Sequence, residues 1–340
     1  MSQTMSPLLE VNNLRVWFPK TRTFFGKVTR WIKAVDDVSF TVHRGETLAL
    51  VGESGSGKTT TGMAVLRALS PRDGSIRFCP EGKETYELVG MTQPEVRPLR
   101  RHMQMIFQDP FSSLNPRMTV RRIVSEPLIV NRIGTKAEQE KQVRALLEEA
   151  GLSKHFLNRY PHAFSGGQRQ RIVIARALAL NPSLIVCDEP VSALDVSVQA
   201  QILNLMADLK DRYNLAYIFV AHDLEVVRHI ADRVAVMYAG RLVEQGPKTK
   251  VFANPLHPYT RSLLATSPKP DPTGEKSYRT LHGEVPDPSN LPGGCVFHPR
   301  CPEALECCST IIPAQSEVDG RRVRCLLYED QFKDSPPIKR

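Results

Sequence analysis

The chain has 340 residues, 41% of them hydrophobic and 24% charged, which is typical of a soluble globular protein with one large domain and an appendage, or with two domains. Its 45 basic and 36 acidic residues give a formal net charge of +9, which suits polyphosphate, nucleic acid or an anionic membrane without choosing among them. The sequence shows no apolar run of the ~18 residues that span a membrane, and its start does not resemble a secretory signal. We therefore expect a cytoplasmic protein that reaches a membrane only through a partner.

The first predicted elements are two strands, 11–18 and 35–42, whose apolar positions alternate or are β-branched. The loop between them combines basic side chains with the aromatic residues Phe24, Phe25 and Trp31. Two interpretations of this loop stay open: an arm that faces RNA or a membrane, and a solvated loop anchored by its rings.

The apolar run Thr47–Val51 predicts a buried strand, and the next segment, Gly52–Thr59, reads GESGSGKT. It fits the phosphate-binding pattern G-x-x-x-x-G-K-[ST], and a helix-compatible segment follows at 60–69. Glycines in this position let backbone N–H groups converge on a polyphosphate, whose charge the helix N-terminus favours. Lys58 would reach the β- and γ-phosphates, and the Thr59 hydroxyl would hold Mg²⁺. The predicted nucleotide contacts of the segment are Gly52, Ser54, Gly55, Gly57, Lys58, Thr59 and Thr60.

Strands and helices alternate after this loop, which predicts an α/β fold with a mostly parallel core sheet covered on both faces. The pattern is helical near residues 110–175, which predicts a helical insertion, and its clearest helix is 138–150. Another helix is predicted at 198–211. Further strands are predicted at 75–78, 103–107, 184–186, 216–220, 234–237 and 241–244.

A second candidate phosphate cradle is the sequence SGGQ, Ser165–Gln168, directly before a helix-compatible segment. Because the chain has a single phosphate loop, the SGGQ segment has no second phosphate to bind within the same chain. The segment is therefore interpreted as capping a nucleotide that the other subunit of a dimer holds, through Ser165, Gly167 and Gln168. An ordinary helix cap is the alternative.

Two carboxylates, Asp188 and Glu189, follow the apolar strand predicted at 184–186, at the edge where α/β sheets place their ligands. Asp188 would coordinate Mg²⁺, directly or through water, and Glu189 would polarise the attacking water as general base. Acidic residues that merely cap a helix are the alternative, which the phosphate loop upstream disfavours.

These motifs, in this order across residues 8–250, resemble those of ATP-binding-cassette (ABC) ATPases, with an antiparallel N-terminal sheet and a helical subdomain. Three more positions match that family: Gln108 in IFQDP its Q-loop, Asp195 in SALD its D-loop, and His222 in FVAHD its switch histidine. The resemblance implies that Gln108 touches the metal and the attacking water and senses a membrane partner. It implies that His222 contacts the γ-phosphate and that Asp195 couples the two sites of a dimer.

An aromatic side chain is expected to stack on the adenine of ATP. Phe18, at the end of the first predicted strand, is the candidate, and Trp17 and Phe25 are the alternatives.

The chain after residue 255 differs in composition, so we place domains at 1–255 and 256–340 and expect a proline- and cysteine-rich extension without regular structure. Its segments LHPYTRSLL (256–264) and GCVFHPRCP (294–302) resemble oligopeptide and dipeptide importer ATPases. The resemblance implies a peripheral protein on the cytoplasmic face of the cell membrane. Its implied partners are two membrane-spanning permease subunits, a second similar ATPase or a second copy, and an extracytoplasmic peptide-binding protein.

The sequence also leaves alternatives to peptide import. Nickel or another small solute is an alternative cargo, and a cassette ATPase acting on the ribosome or nucleic acid is an alternative function. A ribosomal factor would usually carry two cassettes, and a chromosome-maintenance ATPase would need a long coiled coil between Lys58 and Ser165. No nucleic-acid partner is therefore expected.

Five of the seven cysteines lie in the last 46 residues, which in a cytosolic chain favours metal over disulfides. Four thiolates suit a [4Fe–4S] cluster, whereas the usual zinc spacing C-x2–4-C is missing. Zinc, with His298 as a further ligand, and free thiols stay open, and Cys307 could replace Cys308. The four predicted ligands are Cys295, Cys301, Cys308 and Cys325.

Overall fold

Two sheets and a group of helices organise the chain in a computed structural model that describes residues 7–22, 28–266, 283–332, 335, 336 and 338. The strands are β1 (Leu9–Arg22), β2 (Val28–Val42), β3 (Thr47–Val51), β4 (Asp73–Phe78), β5 (Tyr86–Glu87), β6 (Met103–Ile106), β7 (Leu184–Asp188), β8 (Ala216–Ala221), β9 (Arg233–Tyr238), β10 (Arg241–Pro247), β11 (Ser316–Val318) and β12 (Arg321–Val323). The α-helices are α1 (Lys58–Val65), α2 (Gln93–Val96), α3 (Pro110–Ser113), α4 (Val120–Val130), α5 (Lys136–Glu149), α6 (Gly166–Leu178), α7 (Val196–Tyr213), α8 (Leu224–Ile230), α9 (Lys248–Ala253) and α10 (Pro258–Thr266). Among these helices, none is both long and apolar enough to cross a membrane.

The N-terminal sheet has the order β2-β1-β4-β5, and its strands pair antiparallel. β1 and β2 form a long hairpin that extends the two predicted strands toward each other, from Leu9 opposite Val42 to Arg22 opposite Val28. The prediction of antiparallel N-terminal strands is confirmed.

The larger sheet has the order β11-β12-β10-β9-β3-β8-β7-β6. Its five strands from β9 to β6 are parallel. Every residue of β3, β7 and β8 is buried because the N-terminal sheet and α1 cover one face of the sheet and helices such as α6 and α7 cover the other. Since β3 and β7 both flank β8, the segments that follow these three strands meet at one edge of the sheet. This edge receives the phosphate loop, the Asp188–Glu189 pair and His222, and the prediction of a mostly parallel core sheet is confirmed.

Helices α3 to α6 follow one another between β6 and β7. The apolar side chains of α4, α5 and α6, such as Val124, Leu147 and Ile172, pack into one buried cluster. In α4 and α5, buried apolar residues recur at spacings of three and four, which gives each of these helices one apolar face, whereas α6 is buried over most of the stretch from Ile172 to Leu178. Gln108 lies before α3, and Ser165 lies directly before α6.

The tail has regular structure, so the prediction that its prolines exclude it is wrong. Pro258 is the first residue of α10, a position where proline costs no helical hydrogen bond. The hairpin of β11 and β12 turns at Asp319 and Gly320, both with positive φ. It joins the larger sheet because β12 pairs with β10, with Glu244 opposite Val323.

Candidate nucleotide site

The phosphate loop crosses from β3 to α1 between two backbone segments that approach it closely. A side chain at Gly52 would put its Cβ 2.2 Å from the Met237 carbonyl oxygen, and one at Gly57 would lie 2.2 Å from that of Ala34. Gly57 also has φ +103, which is strained for any other residue. These two positions therefore require glycine, and the predicted strand, loop and helix occur in the predicted order.

Lys58 is buried, and its ammonium group lies over the loop. Its Nζ donates hydrogen bonds to the carbonyl oxygens of Gly52, at 2.7 Å, and Glu53, at 2.9 Å. Burial lowers the pKa of Lys58, and the negative charges of Glu189, Asp188 and Glu53 oppose that shift. The three carboxylates therefore help to keep a poorly solvated cation charged.

The predicted magnesium ligands Thr59 and Asp188 lie in direct contact. The Thr59 hydroxyl donates a 2.8 Å hydrogen bond to Asp188 Oδ1. Burial raises the pKa of Asp188, with a further contribution from the charge of Glu189, while the Thr59 hydroxyl and Lys58 oppose the rise. A hydroxyl and a carboxylate beside a phosphate cradle are oxygen ligands of the kind that Mg²⁺ prefers, so these residues fit the ion.

Glu189 is held at both carboxylate oxygens by residues from two other strand ends. Gln108 Nε2 donates to Oε2 at 2.9 Å, and His222 Nδ1 lies 3.1 Å from Oε1. The Glu189 backbone is left-handed, with φ +47, and its N–H donates to Val220 O at 3.0 Å. A non-glycine residue in this conformation carries strain, which is typical of functional sites. Gln108, Glu189 and His222, far apart in sequence, thus form one cluster.

The SGGQ segment begins α6 with a reciprocal cap: the Ser165 N–H donates to Gln168 Oε1 at 3.1 Å, and the Gln168 N–H donates to Ser165 Oγ at 3.4 Å. A Cβ on Gly167 would lie 2.5 Å from Val198 Cγ1, in the first turn of α7, which Asp195 precedes as N-cap. In the described chain, Ser165, Gly167 and Gln168 form no hydrogen bond with residues 52–60. Their role at a second chain's nucleotide therefore stays a prediction, as does that of Asp195.

The candidates for adenine stacking differ in exposure. Phe18 has 36% of its surface exposed, whereas the Trp17 ring carries Arg72 at 4.7 Å and Lys33 at 4.8 Å from its centroid. Phe25 lies outside the described residues. The cations on Trp17 favour Phe18, whose contact with adenine stays a prediction.

The structure adds two tail residues that the sequence analysis did not assign to the site. The Tyr259 hydroxyl accepts a hydrogen bond from the Glu53 backbone N–H, and Arg300 forms an ion pair with the Glu53 side chain. Both lie in segments that the sequence analysis singled out, HPYT and HPR, but nothing local in either segment indicates a contact with the phosphate loop.

The four predicted cysteine ligands are free thiols, and burial is the largest cause that raises the pKa of each. Neighbouring thiols add to the rise, and the pKa values of Cys301 and Cys325 reach about 12. In the parts of the chain that the structure describes, no three or more His, Cys, Asp or Glu side chains are grouped to hold a metal ion. The predicted [4Fe–4S] cluster and the zinc alternative are therefore not supported by the structure.

Comparison with known families gives two separate matches along the chain. Residues 35–192 match the model of the ABC transporter family. Residues 243–308 match the model of the oligopeptide/dipeptide transporter C-terminal region. The second match contains α10, with Tyr259, and Arg300.

Relatives are similar over nearly the whole chain. An oligopeptide transport ATP-binding protein, AppF, of Bacillus subtilis is 47% identical over 94% of this chain and 97% of its own length. A probable peptide ABC transporter ATP-binding protein of Sinorhizobium fredii is 49% identical over 94% of this chain and 89% of its own.

Solved structures agree with these matches. The dimeric ATP-binding cassette MJ0796 bound to ADP and Pi, 27% identical, superposes with a TM-score of 0.61 over 71% of this chain and 98% of its own. The cassette cbiO1 of Clostridium perfringens, also 27% identical, superposes with a TM-score of 0.62 over 73% of this chain and 91% of its own. This chain belongs to the ABC transporter ATPases, in the oligopeptide and dipeptide group.

Proposed function

We propose that this chain hydrolyses ATP at the nucleotide site described above and thereby powers uptake of di- and oligopeptides through partner subunits in the membrane. The observation that carries the hydrolysis is the Glu189 carboxylate, held by Gln108 and His222 at the sheet edge that also carries Lys58 and the Thr59–Asp188 pair. The names of the relatives support peptides as the transported cargo.

The phosphate loop would bind the triphosphate of ATP through its backbone N–H groups, with Lys58 at the β- and γ-phosphates. Thr59, Asp188 and Gln108 would hold Mg²⁺, which neutralises charge on the phosphate oxygens. Phe18 would stack on the adenine.

Glu189 would act as general base toward the attacking water. Its carboxylate takes one proton as the water oxygen bonds to the γ-phosphorus and the bond from that phosphorus to the β-phosphate oxygen breaks. His222 and Gln108 fix the direction of the carboxylate, and His222 would also contact the γ-phosphate.

The functional ATPase is proposed to be a dimer, with a second similar ATPase subunit or a second copy of this chain. Ser165, Gly167 and Gln168 of one subunit would cap the nucleotide of the other, and Asp195 would couple the two sites. The exposed Ser165 side chain, at the N-terminus of the 13-residue helix α6, supports this role because a phosphate is favoured at such a terminus.

The remaining partners are proposed to be two permease subunits and an extracytoplasmic peptide-binding protein, with this chain at the cytoplasmic face of the membrane. The test is affinity purification of the tagged chain from solubilised membranes, followed by mass spectrometry. Two permeases and a second ATPase are expected. Ribosomal proteins or DNA-repair factors in their place would contradict the transport function and leave the ATPase standing.

For the extension, the [4Fe–4S] cluster remains a proposal whose support is the chemistry of four thiols in one short region, three of them buried and that of Cys295 partly buried. Iron and acid-labile sulfide are to be assayed after anaerobic purification. A colourless protein free of iron would contradict the cluster, and bound zinc in its place would favour the zinc alternative.

A further inference from the structure

The phosphate loop is in direct contact with the C-terminal extension at Glu53. Every polar group of this residue is engaged. Its N–H donates to the Tyr259 hydroxyl at 2.9 Å, and its carboxylate receives both terminal nitrogens of Arg300, at 2.7 and 3.0 Å. Its carbonyl oxygen accepts from the Ser56 N–H, at 3.2 Å, and from Lys58 Nζ, at 2.9 Å.

The contacts of Glu53 fall into two groups, one to the phosphate loop and one to the extension. The carbonyl of Glu53 faces the loop, where it closes the turn to Ser56 and holds the Lys58 ammonium. The N–H and the side chain of Glu53 face the extension. Because these groups belong to one residue, whatever fixes the N–H and the carboxylate also restricts the peptide group that holds Lys58.

The extension is closely packed, against itself and against β9, where it meets Glu53. The Arg300 side chain is only 6% exposed, and its Nη1 also donates to the Tyr238 hydroxyl at 3.3 Å. The rings of Tyr238, Tyr259 and Phe297 pack against one another with centroids 4.7 to 5.4 Å apart. A bidentate arginine on such a base is a strong, directional contact, unlike an exposed pair with freely moving side chains.

We propose that Arg300 and Tyr259 are positioning residues for ATP binding: they fix Glu53 and thereby set the phosphate loop and Lys58 for the triphosphate. The inference rests on the proposed role of this loop in binding ATP. It assigns to the extension a part in the nucleotide site of its own chain, so that a change in the extension alters the affinity for ATP.

The experiment measures the dissociation constant of MgATP and the steady-state kinetics of the purified full-length chain. Arg300→Gln is expected to weaken ATP binding about tenfold, a change of 1.4 kcal/mol, and to raise KM more than it lowers kcat. Arg300→Lys, which keeps the charge but loses the fork, is expected to recover part of the loss. Glu53→Gln combined with Arg300→Gln is expected to cost no more than Arg300→Gln alone, since both changes break one contact.

Arg261→Gln is the matched control, because Arg261 Nη1 donates to both carboxylate oxygens of Glu303 in the same extension, at 2.6 and 2.9 Å, and among the described residues Arg261 forms no hydrogen bond with the phosphate loop. This variant is expected to bind MgATP like the wild type. An unchanged dissociation constant in Arg300→Gln, or an equal loss in Arg261→Gln, would overturn the proposal.

Tyr259→Phe removes only the hydroxyl that receives the Glu53 N–H, so it tests the proposal even if Arg300→Gln does not fold. We expect about fivefold weaker binding, since one neutral hydrogen bond contributes about 1 kcal/mol, and unchanged binding would contradict the proposal. Lys58→Ala separates this inference from the proposed function. If Lys58→Ala bound MgATP like the wild type, the loop would not be the ATP site, whatever the Arg300 variants showed.

Discussion

Two carboxylates, one at the nucleotide site and one beneath the extension, show how the same group serves chemistry or structure. Glu189 keeps 18% of its side chain exposed and is held by two polar side chains, Gln108 and His222. Glu244, in β10, is fully buried: it accepts the N–H groups of Leu256 and His257 and lies 3.5 Å from the Arg321 guanidinium. The first retains access to a reactant, whereas the second is saturated by backbone donors and a buried cation.

The largest loss of activity is expected from a substitution at Glu189. Glu189→Gln keeps the shape and the hydrogen bond from Gln108 but cannot take a proton. We expect kcat for ATP hydrolysis to fall by about 10²- to 10⁴-fold, the contribution of a positioned general base. The dissociation constant of MgATP and the melting temperature should stay near those of the wild type. Hydrolysis near the wild-type rate would show that another group takes the proton.

At Glu244, the same substitution is expected to lower stability and to leave activity nearly unchanged. Glu244→Gln leaves the buried Arg321 charge without its nearest compensating carboxylate, so we expect unfolding to become easier by about 3 kcal/mol. Urea denaturation measures this loss, and kcat per folded molecule should be nearly unchanged. Glu303→Gln, which breaks an exposed pair with Arg261, serves as control and should cost at most about 1 kcal/mol. Equal losses in the two variants would contradict the comparison.

The nucleotide side of this comparison could be predicted from the sequence because its signals are local. The buried strands β3 and β7 lead directly into functional residues: Gly52–Thr59 follows β3, and Asp188 ends β7 with Glu189 next to it. Parallel strands bring their carboxyl ends to one edge of a sheet, so order along the chain becomes proximity in the fold. That rule places Glu189 and His222 at the same edge, and their contact is a finding of the structure, in which β7 and β8 are neighbouring strands.

The extension could not be predicted in the same way. Arg300 and Glu53 are 247 positions apart, and the pattern around each is compatible with a solvated ion. The prolines were given too much weight, since Pro258 begins a helix. The Asp319–Gly320 pair is a strong hairpin signal in the sequence, but even this signal does not name β10 as the strand that the hairpin would join.

The stability of the protein is expected to depend on pH through His257, which lies next to Glu244. His257 is buried beside Glu244, and its Nδ1 accepts the Tyr259 N–H at 3.0 Å. Burial, helped by the Arg261 charge, lowers the pKa of His257 to about 3, below the value of about 6.5 in an unfolded chain. Between these values the unfolded state binds the extra proton. The stabilising contribution of neutral His257 is therefore complete above pH 6.5 and is lost as the pH falls toward 3.

Between pH 6.5 and 5, this linkage is expected to cost the wild type about 2 kcal/mol of unfolding free energy. His257→Asn replaces Nδ1 with an oxygen acceptor that does not titrate in this range, so that part of the pH dependence should disappear from its urea midpoints. His155→Asn, at an exposed position, is the control and should keep the wild-type slope. An unchanged slope in His257→Asn would show that the histidine is not held neutral.

The smallest effect is expected on the nucleotide side, at Phe18, which is proposed to contact only the base. Phe18→Ala removes the exposed ring proposed to stack on adenine, so we expect MgATP to bind about fivefold more weakly, equivalent to about 1 kcal/mol of stacking. Inorganic tripolyphosphate, which has the phosphates but no base, should bind the variant and the wild type equally. An equal loss for both ligands would mean that Phe18 supports the β1–β2 hairpin and not the adenine. Since Phe18 lies outside every phosphate contact, this difference separates recognition of the base from the electrostatics that Lys58 and the carboxylates provide.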